Sequence, residues 1–366
     1  MGEIHNFKAM CLASSRELIR RIFMAGVVAC TLVATPGLAQ QATSAGPYKI
    51  LKTAKVGGIG GFDYVYADSV NRRLYIPRSG QTSPPRIMIL NLDTLEQIGE
   101  IAGTSARGTA VDAKSNHGFA TSKPVVMWDA KTLATIKTIG VDGNPDGILA
   151  DPFNQRIYIW SHVAPNATVI DAKDGAVIGT IDLGGAPEQA VTDGKGHIYV
   201  DIEDKDEIAV LDAKTMAVTA HYSLGGQGGT PAGLAFDVKN HILFAACRNP
   251  ATLVMLNSDD GKIIATVPIG AGTDGATFNP ATMEAFSSQG DGTLTVVKEV
   301  SPTNFSVVQT VQTPTTAKTL TLDSKTNRIL LIAAEFGPST PPATPGGRPV
   351  RGPMVPDSFS VIAVGK

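Results

Sequence analysis

The chain has 366 residues, 43% of them apolar and 17% charged, with a formal net charge of −2 at pH 7. This is globular composition with enough apolar material for a large core, and it lacks the basic, aromatic surface of a general nucleic-acid binder. Glycine (38) and proline (23) are abundant and aromatics are few, which favours many short elements joined by turns over long helices.

The first segment reads as a targeting signal. Arg20 and Arg21 precede an apolar run from Ile22 to about Thr35, followed by "PGLAQQ" with small residues at Gly37 and Ala39. The expectation is a signal peptide over 1–39, cleaved after Ala39, and a periplasmic or secreted product. The run is short for a bilayer span and nothing later reaches spanning length, so no transmembrane anchor is expected after processing. Without 1–39 the formal charge becomes −4 and Cys247 is the sole cysteine, which excludes an internal disulfide. Residues 40–47 read as a short linker.

From residue 48 onward the chain repeats. "ADSVNRRLYI", "VDAKSNHGFA", "ADPFNQRIYI", "TDGKGHIYV", "FDVKNHILFA", "FNPATMEAFS" and "LDSKTNRILL" are seven versions of one phrase, anchored on Asp68, Asp112, Asp151, Asp193, Asp237, Asn279 and Asp323. The anchors are 39 to 44 residues apart. A second phrase follows each of the first five, as in "TVIDAKDGAVIGTI" and "AVLDAKTMAVTAHY": an apolar strand, a polar turn and an alternating strand. Each unit therefore reads as four antiparallel strands, A to D, which is the signature of a propeller blade. Six D strands follow their own blades. The last unit stops at strand C, "FSVIAVGK", and the missing D strand is "YKILKTAKVG", Tyr48 to Gly57. The fold expected is an all-β, seven-bladed β-propeller over 48–366, of four-stranded antiparallel blades, closed by an N-terminal strand that completes the last blade.

These phrases resemble the YVTN-repeat β-propeller family, most closely in "YVDI" (Tyr199–Ile202), "VIDAKDGAVIGTIDLG" and "VLDAKTMAVTAHYSLG". The resemblance covers essentially all of 48–366. It implies the propeller fold and an exported binding module, and it specifies no chemistry.

Catalytic signatures are absent: there is no C-x-x-C-H for haem, no H-E-x-x-H and no G-x-S-x-G. "GAGTDG" (Gly270–Gly275) matches a dinucleotide-binding pattern by letters only, because the following "ATFNPATMEAF" reads as strands. The acidic run Asp201–Glu207 reads as a solvated B–C turn. Cys247 reads as a small packed residue, since no general base accompanies it. His117, His197 and His241 are assigned one repeat position just before strand B, a slot that holds Arg or Glu elsewhere and so reads as generic polar surface.

His162 differs, because it ends a B strand at the channel mouth. Two rings of residues surround that mouth. The A-strand beginnings supply Phe62, Arg107, Asp146, Glu188, Ala232, Asp274 and Lys318; the B-strand ends supply Arg78, Lys123, His162, Glu203, Arg248, Gln289 and Glu335. The ligand-binding set expected is Arg78, Arg107, Asp146, His162, Glu188, Glu203, Arg248, Asp274, Lys318 and Glu335, with His162 within reach of Asp146, Glu188 or Glu203. Arg107, Arg248 and Lys318 suit a carboxylate or phosphate; the acids with His162 suit a divalent cation or acid–base work. In the last blade a Pro/Gly-rich insertion, 337–358, has the length of a functional or disordered loop, and two readings stand: a semi-rigid flap over the mouth carrying Arg348 and Arg351, or a floppy surface insertion.

Two functions remain. One is a monomeric exported module that binds a small polar or anionic ligand, or another exported protein, at the charged mouth. The other is a metal-assisted hydrolase or lactonase-like enzyme at the same place.

Overall fold

A computed structural model describes residues 45–80, 83–341 and 350–366. The expected signal segment, most of the 40–47 linker and Arg348 lie outside the described residues.

Seven four-stranded antiparallel sheets make a ring. Six blades run in chain order over 66–102, 109–139, 145–181, 187–223, 231–268 and 273–312. The seventh combines Leu320–Asp323, Arg328–Ala333 and Ser360–Gly365 with the N-terminal strand Lys49–Lys55, paired from Lys49 opposite Gly365 to Lys55 opposite Ser360. The A strands of all adjacent blades contact one another, the last with the first, so the ring is closed and the A strands line the channel. Among the described residues no helix is long and apolar enough to cross a membrane.

The core lies between blades rather than within them. Seven buried apolar clusters fill the seven blade interfaces, because alternate residues of each strand face opposite neighbours. In Arg156–Ser161, Ile157 and Ile159 face the preceding blade while Tyr158 and Trp160 face the following one. The same alternation points residue 162 toward the fourth blade.

The repeated anchors close the A–B turns. Asp68 accepts the backbone N–H of Asn71 at 2.9 Å, Asp237 that of Lys239 at 3.0 Å, and Asn279 that of Ala281 at 3.0 Å. Four residues after the anchor the chain adopts a left-handed conformation, at Arg72, Asn116, Gln155, His241, Met283 and Asn327. This corrects the histidine alignment. His117 and His197 begin B strands, whereas His241 is the left-handed turn residue one step earlier. His197 bonds Asp193 and His241 bonds Asp259, each at 2.8 Å.

Tyr48, which is 4% exposed, anchors the closing N-terminal strand to the sixth blade. Its hydroxyl donates to Glu284, its ring meets Phe286 edge-on at 5.3 Å, and its backbone exchanges two hydrogen bonds with the Gln309 amide. Tyr48→Ala removes that apolar contact and leaves Glu284 short of a donor. It is expected to lower unfolding free energy by about 3–5 kcal/mol, read from urea denaturation.

A second inter-blade contact titrates. Glu299 and Asp237 are both buried, and they meet beside Asn240, which donates to Glu299. Burial and the neighbouring Asp237 push Glu299 up to about 7. A carboxyl raised in the folded state contributes stability that is fully present below its unfolded value and lost as pH rises through the folded one. Between pH 5 and pH 8 the wild type should therefore lose urea resistance that Glu299→Gln retains; parallel pH profiles would refute this.

Candidate functional site: the channel mouth

The anchors also place the mouth. Five residues before each anchor the chain begins its inner strand, and the residues there are Asp63, Arg107, Asp146, Glu188, Ala232, Asp274 and Lys318. Asp63, not Phe62, is thus the first blade's member. Three consecutive blades add a side chain from the end of strand B: His162 after Arg156–Ser161, Glu203 after His197–Ile202, and Arg248 at the end of Ile242–Arg248.

These groups form one circuit. Glu203 accepts from Arg248 at 2.6 Å, and Arg248 also pairs with Asp274. Asp274 pairs with Lys318, whose Nζ is 3.7 Å from Asp63. Arg107 bridges Asp63 at 3.6 Å and Asp146 at 3.4 Å. His162 Nε2 lies 3.5 Å from Asp146 Oδ2 and 3.6 Å from Glu188 Oε1. Glu188 then meets Glu203, with which it shares a hydrogen bond, and the circuit closes. Charge alternates around it except along the arc Asp146–His162–Glu188–Glu203, where carboxyl groups outnumber cations.

That arc is electrostatically uncomfortable. Burial, the hydrogen bond with Glu203 and the charge on Asp274 push Glu188 well above the usual carboxylate range. Burial raises Asp146 too, against the pull of Arg107 and His162. Asp63 is pushed up to about 6, chiefly by burial, with Lys318 opposing. Burial alone would depress the Arg248 guanidinium, but Asp274, Glu188 and Glu203 more than offset it. The mouth is nevertheless open: the side chains of Arg107 and His162 are 50% and 36% exposed.

One position deeper the channel narrows to a cavity of about 160 Å³. Tyr64 lines it and its hydroxyl donates to Glu188 Oε2 at 3.1 Å. Gln189 reaches along the wall to the fifth and sixth blades, accepting from Leu234 N at 3.0 Å and Ala276 N at 3.1 Å and donating to Ala276 O at 3.0 Å. The equivalent positions in four other blades are Gly108, Gly147, Gly233 and Gly275. A Cβ at Gly147 would stand 2.9 Å from Glu188 O, and one at Gly233 would stand 2.6 Å from the Gly275 carbonyl carbon. Farther from the mouth, a cavity of about 590 Å³ runs along the inner strands of the first three blades, lined by Tyr66, Thr109, Ile148 and Gln155 among others.

Of the ten residues expected from sequence, eight share this circuit and two do not. Arg78 is wholly buried, donating to Gly58 O at 3.3 Å and Gly60 O at 3.1 Å with its guanidinium 3.8 Å above the Phe359 ring. It tethers the glycine-rich segment before the first blade, and burial depresses it to about 10. Glu335 is exposed and engages Ser358 and Val355 through its backbone. The acidic run is not simply a solvated turn. Asp201 is fully buried with neither carboxylate oxygen bonded, Asp204 accepts Ala186 N at 2.7 Å, and Asp206 accepts Thr230 N at 2.6 Å. Burial raises Asp201 well above the usual range. The described parts of the insertion form a narrow hairpin, bridged at Phe336–Met354 and Thr340–Val350, and Arg351 lies over the Phe336 ring. Cys247 is buried and its thiol is raised by burial, as an inert packed residue requires.

The fold and this mouth define the chain as a seven-bladed β-propeller with a charged channel mouth. No family model matches the chain, and no curated protein matches it either.

Arg248 is the residue on which the circuit turns, since it faces both Glu203 and Asp274. Arg248→Met leaves two carboxylates without their cation. It should cost about 2 kcal/mol, less than a wholly buried pair because the guanidinium is partly exposed. Denaturation of the single variant and of Arg248→Met/Glu203→Gln checks this: the second change is expected to restore part of the loss.

Proposed function

We propose that the protein is an exported binding module of the YVTN-repeat type, and that its mouth captures a small polar ligand through a positively charged group. The observation that carries this reading is the broken charge alternation. Arg107, Arg248 and Lys318 are each committed to two carboxylates, so an incoming anion would have to dismantle existing pairs. A cationic group meets the opposite situation at Glu188, which pairs with no Arg or Lys and abuts Glu203, so that the newcomer breaks no pair there. The repeats and the Arg-led N-terminal run support the family and export parts of the reading. A second reading, hydrolysis at the same mouth, is favoured by one observation: a half-exposed histidine lies between two carboxyl groups, an acid–base arrangement.

Thermal unfolding in chelator-treated buffer tests the binding reading, with a diamine and an amino sugar against citrate and phosphate. Stabilisation by the cationic compounds, lost in Glu188→Gln/Glu203→Gln, is the expected outcome. Stabilisation by the anions alone, or by neither class, overturns it.

A further inference from the structure

We propose that the unbalanced arc of the mouth is a divalent metal site, in which His162 Nε2 and one carboxylate oxygen each from Glu188 and Glu203 bind a first-row ion such as Zn²⁺ or Mn²⁺. This rests on the reading of the mouth as a binding surface for positive charge, and it names the cation bound there.

Geometry is the first support. One ligand atom from each of His162, Glu188 and Glu203 can be chosen so that all lie within 4.8 Å of one another. Ligands on one ion with bonds of about 2.0–2.2 Å stand no more than about 4.4 Å apart, so a small turn of the half-exposed His162 completes the set. The three come from two adjacent blades, held by the rigid ends of B strands and the start of an A strand.

The surroundings are the second support. Asp146 is almost entirely buried, its Oδ2 is the atom 3.5 Å from His162, and its Oδ1 has no hydrogen-bond partner. A buried carboxylate with one oxygen unpartnered leaves negative charge beside His162 incompletely satisfied, which favours a cation there. The two carboxylate ligands are already oriented from outside. Tyr64 donates to Glu188 Oε2, leaving Oε1 toward His162, and Arg248 holds Glu203 Oε1 at 2.6 Å. Such outer contacts fix ligand direction in metal sites.

The donor set selects the metal class. One imidazole and two carboxylates suit a borderline first-row ion, whereas Ca²⁺ takes six to eight oxygens and Mg²⁺ keeps several waters. Three protein ligands on the open side of the channel leave coordination positions facing solvent, where an oxygen of a bound molecule or water would sit.

Isothermal titration of the chelator-stripped full chain with ZnCl₂, MnCl₂ and CaCl₂ tests the site. The expected result is one Zn²⁺ or Mn²⁺ per chain, bound more tightly than Ca²⁺. His162→Ala and Glu203→Gln should each weaken binding by about tenfold or more, while His197→Ala/His241→Ala, which removes two surface histidines, leaves it unchanged. Metal-free thermal unfolding confirms that each variant is folded. Absence of stoichiometric binding, unchanged binding in both His162→Ala and Glu203→Gln, or a preference for Ca²⁺ overturns the site. If organic cations stabilise the stripped protein and metals do not, the metal site fails and the mouth remains a cation-binding surface. If neither stabilises it, both readings fail.

Discussion

Seven inner strands converge on one axis, and the space they leave there is too narrow for seven side chains at one level. This constraint explains the arrangement of the channel. At the level of Tyr64 and Gln189 the ring takes two large side chains and gives glycine to four of the remaining blades; at Gly147 and Gly233 a Cβ would collide with backbone of the next blade. The Gln189 amide also satisfies backbone groups of the fifth and sixth blades that a neighbouring strand would bond in a continuous sheet. Narrowness thus leaves only a small cavity of about 160 Å³ at this level, lined by Tyr64, Glu188 and Gln189 among others, beneath the charged groups one step above.

The chemistry of the mouth follows from that narrowing. Side chains five positions before each anchor stand where the channel has widened enough to hold seven of them, and most are charged. Partial burial makes each charge expensive alone, so the groups pair around the rim. Pairing succeeds wherever a blade supplies Arg or Lys between acids. It fails between the third and fourth blades, where His162 stands in place of a permanent cation and Glu188 abuts Glu203. The place where the sequence leaves pairing incomplete is the place with chemical capacity to spare.

Much of this was legible in the sequence because repetition makes register visible. The anchors carry turn chemistry, so their spacing located blades, the closing strand and eight members of the charged circuit. Errors arose where one blade departs from the repeat. The glycine-rich approach to the first blade, "VGGIGGFDY", obscured register by one residue and put Phe62 where Asp63 belongs; counting back five from Asp68 recovers it. Arg78 occupies a strand end like Arg248, yet its carbonyl partners come from that same irregular segment, which no repeat predicts. His241 was shifted because the turn needs a left-handed residue before strand B, a backbone requirement that letters alone do not display. The convergence of His162, Glu188 and Glu203 depends on strand alternation across two blades. Sequence marked the residues but could not fix the distances.

Closure by the N-terminal strand has a kinetic consequence. Lys49–Lys55 has no partner until Ser360–Gly365 exists, so the first strand of the propeller to be made is among the last to be paired. Bringing such distant segments together costs about 5 kcal/mol of chain entropy, which the six locally assembled blades reduce by folding first and carrying the ends toward each other. Until then the C strand of the last blade presents a bare, largely apolar edge, and any extended segment of another chain competes for it. The ring that leaves no free edge at its seam in the finished molecule is therefore most exposed to mispairing at the moment of its completion.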